Sequence, residues 1–215
     1  MMSLKLIEEL LEEHRLVDQV AGALFRYAEV AKGGETEPAD VADFVRFLRV
    51  FVGGYHHERE EETLFRALAD RAETPTDRGP LPVIVAEHRQ ASAMVDEFET
   101  LGGDLEKAAE MARSLARHLW EHVDKEDSVL LPESENRLVR NGVTRLEGRQ
   151  PTADETAARD LGESLIERFL PLEDVEMVRG DGCVACGAYA DTCHGIEREW
   201  WNRWDHEFQR SLDEG

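Results

Sequence analysis

Four long stretches of this chain repeat apolar residues every three or four positions, and each sets a histidine on that same stripe. In the first, Leu4 to about position 32, His14 is in phase with Ile7, Leu10, Val17 and Ala21. In the second, Pro38 to about position 72, Val45, Leu48 and Val52 lead by helical steps to His56 and then Glu60. In the third, Pro82 to about position 101, His88 follows Ile84 and precedes Ala91 and Val95. In the fourth, Leu105 to about position 131, Met111, Leu115, His118, His122, Glu126 and Val129 share one face. A period near 3.6 residues specifies helices with one face to bury. Four such helices joined by short loops predict an all-α chain, folded as an antiparallel up-down four-helix bundle.

The punctuation agrees with that division. Gly33-Gly34 and Gly102-Gly103 are stop signals, "ETPTDRGPLP" is a loop by its turn residues, and Pro132 marks the weakening or end of the fourth helix. Residues 1–140 are expected to form the bundle, with 141–215 as an extension. That extension holds a polar linker, a short helix near Glu155–Phe169, a cysteine segment and an aromatic helix from about Ile196 to Leu212.

A buried histidine or carboxylate is costly unless it is paired or metal-bound. One core histidine is easily satisfied by a hydrogen bond, but four on four helices are not. Two of them also carry a carboxylate one turn on, His56 with Glu60 and His122 with Glu126. Residues four apart share a helix face, so two such pairs on facing helices can span a cavity for two metal ions. Imidazole nitrogen and carboxylate oxygen suit iron, manganese or zinc. His57, one residue past His56, would lie about 100° around an α-helix and so face away, unless a one-residue slip favours His57 with Glu61.

Composition narrows the function classes. A net charge of −22 excludes a nucleic-acid or anionic-membrane surface. No run is long enough to span a membrane, and "MMSLKLIEELLEEHR" lacks the regions of a signal peptide, so the cytoplasm is the expected location.

The stretches "EEHRLVDQV", "YHHEREEETLF", "AEHRQ" and "EHVDKEDSVLLP" together resemble the hemerythrin HHE cation-binding domain over roughly residues 4–135. The resemblance implies a non-haem di-iron centre, two iron ions joined by carboxylates and an oxo or hydroxo bridge. By position, its metal ligands fall on His14, His56, Glu60, His88, His122 and Glu126. Asp127 is the alternative to Glu126. The oxygen carriers of the family use a second histidine one turn from the third-helix ligand, where this chain has Ile84 and Ser92. One histidine is therefore expected to be missing, leaving an open position or one filled by Asp18, Tyr55 or His118. The resemblance implies a protein that binds or senses oxygen, nitric oxide or redox state. A di-iron enzyme reducing nitric oxide or peroxide, or an iron donor in repair of iron–sulfur centres, is the alternative.

Near the C-terminus, Cys183, Cys186, Cys193 and His194 offer three thiolates and an imidazole, a set suited to zinc or an iron–sulfur site, or to a Cys183–Cys186 redox pair. Reduced cysteines in a packed tail are the competing reading. Trp200, Trp201 and Trp204 make an aromatic stripe expected to pack on the bundle, a second copy or a partner protein.

Overall fold

The computed structural model describes residues 4–31, 33, 36–177 and 179. The cysteine set and the Trp200/Trp201/Trp204 helix lie outside these residues. All regular structure among the described residues is helical. Helix α1 is Lys5–Ala31. Helix α2 runs continuously over 38–72, as α-helix at Pro38–Arg46 and Arg66–Ala72, with wider π-helical turns at Phe47–His57 and Glu60–Phe65. Helix α3 is Pro80–Leu101. Helix α4 covers 105–140, with a π-helical turn at Glu126–Leu130, and α5 is Ala153–Arg168. Among the described residues no helix is long and apolar enough to cross a membrane.

Local signals set the ends. Gly79 at a φ of 79° turns the chain into Pro80, whose missing N–H costs nothing at the start of α3. Asp104 caps α4 by accepting from the Lys107 N–H at 3.3 Å. Thr152 and Glu155 form a reciprocal capping box at α5. Pro132 does not end α4. The π turn before it sends the Leu131 N–H back to the Glu126 carbonyl, five residues away, and α-helix resumes at Leu131–Arg140 with the proline in its first turn.

Helix α1 lies along α4, α3 packs on α4 and α2, and α5 lies against α1 and the Phe47–His57 part of α2. Gly162 makes the α5 approach feasible, since a Cβ there would sit 2.4 Å from Phe47 Cε2. The segment preceding α5 is also docked: the Leu6 N–H donates to the Leu146 carbonyl, and Arg149 reaches Glu58 and Glu155.

The buried interior is two apolar clusters. One contains Leu10, Leu64, Ile84 and Leu130; the other contains Val17, Tyr55, Val95 and Val123. A polar layer separates them, and each of α1 to α4 crosses it. Along α1 and α3 the chain passes from the first cluster to the second; along α2 and α4 it passes back.

Candidate metal centre

The polar layer is built from side chains that the apolar stripes carry inward. His14 comes from α1, His56, His57 and Glu60 from α2, His88 from α3, and His122 and Glu126 from α4; all are buried. They form two overlapping groups. The donor atoms of His14, His56, Glu60 and Glu126 lie within 4.8 Å of one another, as do those of His57, Glu60, His88 and His122. Glu60 belongs to both. Its Oε1 is 3.8 Å from His14 Nε2, and its Oε2 is 3.8 Å from His56 Nε2 and 3.4 Å from His88 Nε2. Glu126 Oε2 is 3.2 Å from both His14 Nε2 and His122 Nε2, and its Oε1 is 3.9 Å from His88 Nε2.

His57 corrects the sequence reading. An α-helix would turn it away from His56, but both end an eleven-residue π-helical segment. Wider turns place successive residues less far apart around the axis, so neighbours can share the interior. His57 stacks on His88 with ring centroids 3.8 Å apart, and its donor atom falls in one group with those of Glu60, His88 and His122.

Four outer carboxylates orient four of the five rings. Nδ1 of His56 meets Glu13 at 2.9 Å, Nδ1 of His88 meets Glu61 at 2.7 Å, Nδ1 of His122 meets Glu87 at 3.0 Å, and Nδ1 of His14 meets Asp127 at 2.5 Å. An ionised carboxylate only accepts, so each Nδ1 donates to its acid, and each Nε2 points inward, where a metal ion could take the place of a proton. The pattern is circular. Glu13 on α1 serves α2, Glu61 on α2 serves α3, Glu87 on α3 serves α4, and Asp127 on α4 serves α1. Two of these acids are themselves held by cations: Arg59 binds Glu13 as well as Glu9, and Lys125 reaches Glu87 at 2.5 Å.

The inner atoms fit a cation. Both oxygens of Glu60 and of Glu126, and Nε2 of His88 and His122, are buried without a hydrogen-bond partner. Nε2 of His14 and of His56 face each other at 3.1 Å. Buried carboxylates cost several kcal/mol each unless positive charge compensates them. Donors spanning 4.8 Å also lie close to twice a metal–ligand bond of about 2.1 Å.

The electrostatics express the same demand. Burial alone would lower His14, yet Asp127, Glu126 and Glu60 carry it well above the ordinary imidazole value. Burial opposes the charged form of His88 too, but Glu126, Glu60 and Glu61 push it up to about 11. His57 goes the other way: burial, then His88, His122 and His56, hold it well below. Glu60 is lowered in spite of burial and Glu126, by His56, His14 and His88. Glu126 is lowered against burial by His122, His14 and His88. The layer therefore attracts positive charge, whether protons or a metal ion.

The family model of the hemerythrin HHE cation binding domain matches residues 5–134, the span that carries every inner donor. The chain belongs to the hemerythrin HHE cation-binding domain family. No curated protein and no solved structure matches it. In this hemerythrin domain the two His/Glu groups are where a cation could be held.

Asp18 and His118 join neither group of the hemerythrin domain, and all three expected substitutes have other contacts. Asp18 pairs with Arg179 at 2.5 Å, Tyr55 lies beneath the Arg59 guanidinium, and His118 donates to the Glu87 carbonyl at 3.1 Å. Asp127 lies outside both donor groups, with its Oδ1 against Nδ1 of His14, whereas Glu126 lies within one. Glu13 and Glu87 were not singled out from the sequence, and Glu61, weighed there as a partner of His57, instead meets Nδ1 of His88. A signal was present: each oriented ring's carboxylate is the chain neighbour of an inner donor, Glu13 of His14, Glu61 of Glu60, Glu87 of His88 and Asp127 of Glu126.

Proposed function

We propose that the chain folds its first four helices as an antiparallel bundle, holds two iron ions there, and uses them to bind or sense oxygen, nitric oxide or redox state. The alternating order in which α1 to α4 cross the polar layer supports the antiparallel arrangement. The observation that carries the metal reading is the pair of donor groups sharing Glu60. On this reading His14, His56 and Glu126 would hold one ion, His57, His88 and His122 would hold the other, and Glu60 would serve both.

Two iron ions, when bound, supply paired redox-active centres to which a diatomic ligand can attach. The chain's own residues do the rest. The ring of outer carboxylates keeps protons on Nδ1 and lone pairs on Nε2. The apolar clusters above and below exclude bulk water, which strengthens every charge interaction inside. Five histidines with two carboxylates favour reversible ligand binding over a widely open reactive site.

Anaerobic loading with ferrous iron, followed by metal analysis and stopped-flow spectra, tests this. The expected result is two irons per chain and an adduct with oxygen or nitric oxide that reverses when the gas is removed. Fewer than two irons per chain, or no spectral response to either gas, would overturn it.

A further inference from the structure

The eleven-residue π-helical segment that turns His57 inward has little of its own to hold it in that form. Such turns are rare and mostly single. Gly53 and Gly54 lie inside the segment, and glycine is among the weakest helix formers. Arg149, from the segment preceding α5, supports it from outside. Its Nη2 donates to the Gly54 carbonyl at 2.7 Å and to Glu58 Oε2 at 2.6 Å. Its guanidinium also lies 5.0 Å from the centre of the Tyr55 ring. One side chain thus touches residues 54, 55 and 58, on both flanks of His56 and His57. Residue 149 is outside the span 5–134 that matches the family model. We infer that Arg149 is a positioning residue for the metal centre, holding the end of the π-helical segment in the form that brings His57 to the three-histidine donor group. The inference rests on the reading that this group holds a metal ion.

The backbone shows why this carbonyl matters. In an α-helix the Glu58 N–H would bond the Gly54 carbonyl, but here it bonds the Tyr55 carbonyl. The arginine donor therefore sits on the carbonyl that the change of step passes over. A return of Glu58 to α-helical pairing would restore a turn of about 100° per residue and carry His57 away from His88. The arginine is itself fixed from the other side. Glu155 takes Nη1 on Oε2 at 2.8 Å and Nη2 on Oε1 at 2.7 Å. Its Oε2 also accepts from the Thr152 N–H at 2.7 Å and the Thr152 hydroxyl at 2.9 Å. A two-point, charge-assisted grip sets the direction of the guanidinium as well as its place. Helix α5, which starts at this cap, packs on the same π-helical segment where Gly162 meets Phe47.

Arg149→Met keeps an aliphatic stem beside Tyr55 and removes the donors. In the metal-free full chain, diethyl pyrocarbonate should then modify His57 several-fold faster than in the unmodified protein, read by peptide mass spectrometry, while His14 and His122 keep their rates. With ferrous iron and a competing chelator, one of the two ions should bind about tenfold more weakly, the effect typical of a lost group that orients a ligand. Added to His57→Ala, Arg149→Met should cost no further affinity, because the ring that it positions is gone. Arg149→Lys, limited to a one-point grip, should fall between the two, and it carries the test should the methionine variant fold poorly. Arg117→Met breaks the ion pairs that tie Asp174 and Glu176 to α4, loosening the same extension elsewhere, and should change neither reading. Unchanged His57 reactivity in Arg149→Met, an equal effect in Arg117→Met, or a full additional loss on the His57→Ala background would overturn the inference. Failure of the unmodified protein to load iron would instead sink the functional reading, and the reactivity of His57 would still decide what Arg149 does.

Discussion

Asp127 on α4 accepts a hydrogen bond from Nδ1 of His14 on α1 at 2.5 Å, and this contact closes the ring of carboxylates around the polar layer. Each helix of the four thus presents a donor inward and fixes a donor on the next helix. Removing one outer carboxylate should loosen a ring without removing a ligand. Asp127→Ala and Glu13→Ala are each expected to weaken metal binding by about 10–100-fold. Competition with a chelator of known affinity would measure it. Unchanged affinity in both would show that the ring does not orient the donors.

The shared carboxylate and the unshared histidines should differ in what they cost. Glu60 contributes to both donor groups, whereas His57 contributes only to one. Glu60→Ala should therefore lose both metal ions, and His57→Ala should retain about one per chain. Metal analysis after gel filtration reads the difference directly. Two ions retained by His57→Ala would return that residue to a packing role.

Arg59 is 1% exposed and its guanidinium serves Glu9 and Glu13 from beneath Gly148. Arg59→Met would leave those carboxylates facing an apolar side chain in a confined place. A loss of about 3 kcal/mol in unfolding free energy is expected from denaturant titration of the metal-free protein. A loss below about 0.5 kcal/mol would class the pair with ordinary surface ion pairs.

Stability of the metal-free protein should fall as pH rises. His88 titrates at about 11 in the folded chain, against an ordinary imidazole value of 6.5. A raised folded value means that the folded state holds the proton more tightly, so this stabilisation is complete below pH 6.5 and is lost as pH climbs toward 11. A bound metal ion takes over the proton's charge, so the loaded protein should show a flatter profile across that window. Thermal unfolding with and without metal checks this. Parallel profiles would contradict it.

Two substitutions outside the centre test the packing. Gly162→Ala would drive a methyl group into the buried Phe47 ring and should cost about 1–3 kcal/mol. Glu73 ends α2 in the left-handed region at a φ of 51°, so Glu73→Gly should stabilise by about 0.5–1 kcal/mol. Thermal melts of the two variants should move in opposite directions.

Apolar spacing was enough to predict the four long helices and to put His14, His56, His88 and His122 on their inner faces. That spacing is a local property, set by 3.6 residues per turn and the cost of exposing a stripe. The same local rule misplaced His57 and stopped α4 at Pro132. Both errors fall at π-helical turns, where a five-residue hydrogen-bond step replaces the four-residue step. The outer carboxylates were also hidden, because Glu13, Glu61 and Glu87 look like ordinary charged surface until a histidine from the adjoining helix is brought against them. The sequence by itself determined which residues face inward on each regular helix. Only the tertiary structure decided the fifth histidine, the shared role of Glu60 and the ring that orients the donors, because each depends on groups that meet across helices or on a turn widened from α-helical geometry.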